Sequence, residues 1–196
     1  KSNYFSGMNH SQMKEGISIA FLGDISLNDQ YIDLYRNAVD PFQSINPMLS
    51  KHDHIIGNLE CMAKGNNGEN LKKRPRLTTT VETLSLLKKI PVSAVCLAHN
   101  HVFDHLQDGY DKTMDFLEEN QIQTLGAGHS LSDAAEPLIV KKGETSVAIL
   151  NYIDDDTHPN LPDKCPVYLN KLITENIKRD IKKIRSKVNY IVLLLH

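Results

Sequence analysis

The amino-acid sequence predicts an α/β fold with helices flanking a central mixed sheet. Short apolar runs rich in β-branched residues alternate with segments of helical periodicity, which is typical of parallel strands joined by helices. The central run, residues 92–97, is followed at once by histidine, asparagine and aspartate side chains. At 196 residues the chain has the size of a single domain with a substantial core.

The remaining elements follow from the same patterns. The predicted strands are residues 17–22, 54–56, 92–97, 122–125 and 190–195, with a hairpin formed by 137–140 and 146–150. The predicted helices are one or two short ones within 30–50, then 81–90, 109–120 with Asp108 as N-cap, and 170–187, where isoleucines recur every three or four residues. Residues 1–16 are polar and aperiodic and are predicted to be a loose lead-in to a domain over 17–196.

Composition excludes several classes of protein. The net charge of −2 gives no electrostatic argument for nucleic acid, which is not expected as a partner. No apolar run approaches the roughly 18–20 residues of a membrane span, so cytoplasmic and cell-envelope locations both stay open. Three cysteines without a C-x-x-C spacing argue against a zinc finger or a disulfide framework.

Four apolar runs end in polar side chains of the kinds that bind metals. Because parallel neighbours bring their carboxyl ends to one edge of a sheet, these residues are expected to converge. Grouped carboxylates repel one another unless a cation neutralises them, and oxygen with imidazole ligands suits Mn, Zn, Fe or Mg. The alternative is that each is a solvated loop at a strand end. The residues are Asp24, Asn58, Glu60, Asn100, His101 and His196.

A basic segment, Lys72-Lys73-Arg74-Pro75-Arg76, lies in the aperiodic stretch 63–80. It is interpreted either as a solvated loop or as a flap that faces an anion beside the site. In the second case Arg74 and Arg76, together with Asn58, are predicted to bind the substrate.

Five segments of the chain resemble the bacterial capsule-synthesis family of CapA type, which is linked to poly-γ-glutamate and belongs to the calcineurin-like metallophosphoesterase superfamily. The resemblance implies that Asp24, Glu60, Asn100 and His196 bind one or two divalent metal ions. It also implies that His101 lies beside the scissile phosphate with Asp104 orienting it, and that a metal-activated water attacks a phosphoester. The segments are 21–27, 57–61, 97–104, 126–128 and the apolar run into His196.

Two departures from the family pattern leave the function open. The usual Asp-x-His opening appears as Asp24-Ile25-Ser26, and the chain ends where the family continues, so the resemblance implies a metallophosphatase sandwich truncated at its C-terminus. One hypothesis is a metal-dependent hydrolase acting on an anionic substrate, a phosphoester or polyglutamate. The other is a non-catalytic binding or scaffold subunit that works with other capsule-synthesis proteins. A nucleotide-binding domain is a weaker third option, because no phosphate loop is present.

Overall fold

The computed structural model describes residues 16–196, so the lead-in predicted over 1–16 lies outside the described residues except for Gly16. The strands are β1 (Ile19–Ile25), β2 (His54–Leu59), β3 (Met62–Ala63), β4 (Thr78–Thr79), β5 (Ala94–Cys96), β6 (Gln123–Leu125), β7 (Ala127–Gly128), β8 (Leu138–Lys142), β9 (Thr145–Tyr152), β10 (Tyr168–Leu169) and β11 (Tyr190–Leu195). The α-helices are α1 (Gln30–Arg36), α2 (Asn46–Leu49), α3 (Val81–Leu84), α4 (Leu106–Glu119), α5 (Leu131–Ala134) and α6 (Thr174–Ile184).

The first large sheet is entirely parallel, in the order β1-β2-β5-β6. The two central strands, β2 and β5, are largely buried, which explains why apolar residues are consecutive in their sequences rather than alternating. Successive strands are connected through helical segments, so their carboxyl ends meet at one edge. The edge strand β1 carries an irregularity in its pairing with β2 between Phe21 and Asp24.

The second large sheet is mixed, in the order β11-β9-β8. The antiparallel pair β8–β9 is the predicted hairpin, and β11 pairs with β9 in parallel. The two sheets pack face to face over an apolar core to which both contribute. That core contains Ile56, Ala94, Cys96 and Leu125 from the first sheet, and Leu138, Val140, Val147 and Ile149 from the second.

Helical segments cover the outer faces of both sheets. Tyr110, Phe116 and Leu117 of α4 join the core on the far side of the parallel sheet. Ile184 at the end of α6 packs on Ala148 of the second sheet. The result is a sandwich of two sheets between helices, and the predicted α/β fold is confirmed.

Three helix boundaries differ from the predicted ones. The helix predicted from 109 begins at Leu106, so Asp108 is not its N-cap but lies in its first turn. Its carboxylate there accepts a hydrogen bond from the backbone N–H of Asn66, which a sequence pattern cannot distinguish from capping because acidic residues favour both positions.

The other two differences shorten an α-helix in favour of a 3₁₀ turn. The segment 81–90 contains only the four residues of α3 before a 3₁₀ helix, Ser85–Lys89. The segment 170–187 contains α6 and then the 3₁₀ helix Arg185–Lys187. Among residues 16–196, no helix combines the length and the apolarity that crossing a bilayer requires.

Candidate metal centre

Three side chains from distant parts of the chain form a compact cluster of potential metal ligands. Asp24, Glu60 and His196 each offer one ligand atom, and these atoms all lie within 4.8 Å of one another. Asp24 lies in β1 just beyond the pairing irregularity, and Glu60 directly follows β2. His196 directly follows β11, so the second sheet contributes the imidazole and the first sheet the two carboxylates.

Two asparagines complete the cluster. Asn58 Nδ2 donates to Asp24 Oδ1 at 2.8 Å and lies 3.4 Å from His196 Nδ1. Asn100 Oδ1 lies 3.3 Å from His196 Nε2. Asn58 Oδ1 is buried and has no hydrogen-bond partner among the described residues, which is an orphaned oxygen beside the carboxylates. Five strand-end residues were predicted from the sequence to contact metal or substrate, and the structure brings all five together: Asp24, Asn58, Glu60, Asn100 and His196.

The electrostatics of the cluster favour a bound cation. Burial raises the pKa of Glu60, and the neighbouring Asp24 raises it further. Burial lowers the pKa of His196 despite the opposing influence of Asp24, so the imidazole keeps a lone pair near neutral pH. Two crowded carboxylates, a neutral imidazole and amide oxygens are a donor set that suits Mn, Zn, Fe or Mg. These residues fit a divalent cation.

His101 and Asp104 form a second, buried pair beside the cluster. His101 Nδ1 lies 2.7 Å from Asp104 Oδ2, and both side chains are buried. Asp104 Oδ2 also accepts the backbone N–H of Leu77 at 2.7 Å, which fixes the carboxylate in place. Because the carboxylate accepts the proton of Nδ1, the other ring nitrogen, Nε2, is left available for chemistry. The predicted contact between these two residues is present.

His99 supports this arrangement, although no role was assigned to it from sequence. It is fully buried, and its Nδ1 accepts the backbone N–H of His101 at 3.2 Å. Its ring meets that of His196 edge to face, with 6.3 Å between the centroids. Burial lowers the pKa of His99 well below its usual value. The neutral ring of His99 thus supports His196, and the only signal for it was its position in the polar stretch after β5.

Asn151 of β9 joins the two sheets next to the cluster and was also missed. Its Oδ1 accepts the N–H of Ala98 at 2.8 Å, and its Nδ2 donates to the carbonyl of Leu194 at 3.3 Å. Gly126 makes room for it: at its φ of +94° an added Cβ would collide with the Asn151 amide. Asn151 therefore connects the segments that lead to His99 and to His196.

The basic loop differs in detail from the prediction. Arg76 Nε donates to Glu69 at 2.8 Å, so this guanidinium is engaged within its own loop, and Arg74 is exposed. Neither arginine hydrogen-bonds or ion-pairs with the cluster among residues 16–196. The buried cation of the loop is Lys73, whose charge acts on Glu60 and His196. No feature of the sequence indicates that Lys73, rather than the basic residues next to it, is the buried one.

Comparison with known proteins agrees with this architecture. The family model described as "Bacterial capsule synthesis protein PGA_cap" matches residues 18–196. The chain is 27% identical over 143 residues to the PGA biosynthesis protein CapA of Bacillus subtilis (strain 168), covering 70% of this chain and 37% of that protein. It is 24% identical over 145 residues to the capsule biosynthesis protein CapA of Bacillus anthracis, covering 71% of this chain and 35% of that one. The match thus spans little more than a third of the length of these curated relatives. On the strength of the match over residues 18–196, the chain belongs to the PGA_cap family of bacterial capsule synthesis proteins.

Proposed function

We propose that this chain carries a metal-dependent hydrolytic site that acts on a phosphoester or related bond during the production of capsule or poly-γ-glutamate. One observation carries the proposal: the ligand atoms of Asp24, Glu60 and His196 lie within 4.8 Å of one another, beside the His101–Asp104 pair. The names of the two relatives, a PGA biosynthesis protein and a capsule biosynthesis protein, support the choice of this process.

Asp24, Glu60 and His196 would hold the cation, with Asn100 as a further oxygen ligand. A bound divalent ion in such a site supplies positive charge against the oxyanions of the substrate and lowers the pKa of a bound water. Asn58 orients Asp24 through its 2.8 Å hydrogen bond, and in the proposal it also contacts the substrate.

His101 is the proposed acid–base residue. With its Nδ1 proton held by Asp104, the imidazole can pass a proton to or from a substrate oxygen through Nε2. Asp104 is the positioning residue, because its carboxylate contacts His101 and the backbone of Leu77. Burial of both side chains excludes water from this hydrogen bond and strengthens it.

The test measures metal content and turnover of a generic phosphodiester, bis(p-nitrophenyl) phosphate, with Mn²⁺ supplied. We expect His101→Ala to lower turnover by about 10²- to 10⁴-fold while the metal content stays unchanged. The double variant Asp24→Ala, Glu60→Ala should lose the metal. His129→Ala, which removes an exposed imidazole, is the matched control. Absence of turnover in the wild-type chain, or full metal content in the double variant, would contradict the proposal.

A second candidate is a non-catalytic binding or scaffold subunit that works with other capsule-synthesis proteins. Ser26 favours it, because it stands where the family pattern has a histidine, and its hydroxyl donates to Asn28 at 2.6 Å instead of joining the cluster. This candidate predicts retained metal and retained binding of a γ-linked glutamate oligomer without turnover of the phosphodiester.

A further inference from the structure

Lys73 is a buried cation with little to balance it locally. Its side chain is 4% exposed, and its ammonium donates to the carbonyl of His158 at 2.9 Å. Among residues 16–196 it has no carboxylate within ion-pair distance. An ammonium has three donors, and proteins rarely bury one without an anion because the desolvation is expensive. Two of the donors of Lys73 therefore have no hydrogen-bond partner among the described residues.

The charge of Lys73 acts directly on the candidate metal centre. It lowers the pKa of His99 and of His196, and it opposes the rise in the pKa of Glu60. Burial lowers the pKa of Lys73 itself, while Asp104 and Glu60 work in the opposite direction. The geometry agrees with these directions. The ammonium donates to the carbonyl of His158, and the carbonyl of the preceding residue, Thr157, accepts from Asn100 Nδ2 at 3.0 Å. Lys73 and the candidate ligand Asn100 are therefore bound to adjacent carbonyls of one segment.

The loop that carries Lys73 is fixed to the same site. The backbone N–H of Asn70 donates to the carbonyl of Asp104 at 2.9 Å, and its side chain donates to the carbonyl of Asn160 at 3.0 Å. The backbone of Lys73 is held on both sides, by Asn70 and by the guanidinium of Arg76 at 2.8 Å. The ammonium is therefore held in position before a ligand arrives, which lowers the entropy cost of binding.

We propose that Lys73 is the oxyanion-binding residue of this site, with its ammonium taking a phosphate or carboxylate oxygen of the substrate. The proposal rests on the proposed function for the position of the substrate, and it assigns to Lys73 the role predicted for Arg74 and Arg76. Phosphate and carboxylate share the chemistry that an ammonium recognises, and a lysine serves as a point charge for either.

The experiment measures binding of inorganic phosphate and of a γ-linked glutamate trimer by calorimetry, with metal removed and again with Mg²⁺. The variants are Lys73→Met, which removes the charge, and Lys73→Gln, which keeps a donor for the His158 carbonyl. Lys72→Met is the matched control, because Lys72 is the exposed neighbour in the same loop. We expect both Lys73 variants to weaken binding of one or both anions by about 10- to 100-fold, and Lys72→Met to leave it unchanged.

The comparison of the two anions shows whether the bound oxyanion is a phosphate or a carboxylate. The anion whose affinity falls in the Lys73 variants belongs to the class that the site binds. Wild-type affinity for both anions in Lys73→Gln, or no binding of either by the wild-type chain, would overturn the proposal. A fall in the melting temperature of both variants without a change in affinity would overturn it as well. That result would show that Lys73 has only a structural role, as the hydrogen-bond donor to the His158 carbonyl. If the Lys73 variants lose affinity but the wild-type chain does not turn over the phosphodiester, this proposal is retained and the hydrolase is rejected. If the wild-type chain turns over the phosphodiester but the variants bind the anions as wild type does, the hydrolase is retained and this proposal is rejected.

Discussion

Replacing Glu60 by glutamine should stabilise the metal-free protein and remove its response to metal. The ligand oxygens of Glu60 and Asp24 are no more than 4.8 Å apart. Two unit charges at that distance repel by about 3 kcal/mol at an effective dielectric constant near 20 and by about 1 kcal/mol in bulk water. Because Asp24 is exposed, the lower figure applies, and glutamine should add about 1 kcal/mol to the free energy of unfolding. His196 offers no compensation, since burial lowers its pKa and leaves it neutral.

The assay is thermal unfolding in EDTA and in excess Mg²⁺ or Mn²⁺. A gain of 1 kcal/mol raises the melting temperature by about 2–4 °C in a domain of this size. Wild type should gain about 2.7 kcal/mol when the metal is about 100-fold above its dissociation constant, whereas Glu60→Gln should gain little. The order of the two stabilities therefore reverses when metal is added.

Glu118→Gln is the control, because it removes the same charge from the exposed face of α4. It should leave both the metal-free stability and the response to metal unchanged. A Glu60→Gln variant that is less stable than wild type in EDTA, or that responds to metal as wild type does, would refute the electrostatic reasoning.

Three further predictions concern the scaffold around the site, each measured by urea unfolding. Burial lowers the pKa of His105 below 6.5, so the free energy of unfolding should fall as pH drops through 6.5 towards that depressed pKa. His105→Gln should flatten this slope, and His129→Gln, at an exposed site, should not. Asn151→Ala should lower the free energy of unfolding by about 1–3 kcal/mol, because it leaves the buried backbone N–H of Ala98 without an acceptor. An unchanged urea midpoint would show that this link between the sheets is dispensable. Gly68→Ala should lower the free energy of unfolding by about 1–2 kcal/mol, because its φ of +99° is unfavourable for alanine. Gly126→Ala should lower it further, because the added Cβ also collides with the Asn151 amide. Equal losses in the two variants would contradict that collision.

Much of the fold could be predicted from local pattern. Strands buried on both faces appear as apolar runs, which is why β2 and β5 were located to within a few residues. The strand β11 was located from an apolar run as well, although its residues are only partly buried. The hairpin β8–β9 followed from a short turn between two such runs. Helix ends were less accurate, because a first-turn acid and an N-cap acid look alike in sequence, as Asp108 shows.

The identity of the buried cation could not be predicted. Lys73 is one of four basic residues within five positions, and its burial depends on a hydrogen bond to His158, 85 residues further along the chain. By sequence Arg76 was an equally good candidate for the cation that faces the site, but in the structure it forms an ion pair with Glu69 of the same loop. In a loop without periodicity, such long-range contacts decide which side chain faces the site and which faces the solvent.

The convergence of the cluster has the expected cause for three of its residues and a different cause for His196. Edge alignment in a parallel sheet accounts for Asp24 near the end of β1, Glu60 directly after β2 and Asn100 after β5. His196 follows β11 of the other sheet, so it reaches them only because the two sheets pack face to face. A cation held by Glu60 and His196 would join both sheets across their open edge. The energy of metal binding would then stabilise the sandwich as well as the site, which is why unfolding in the presence and absence of metal is the most direct measurement of this centre.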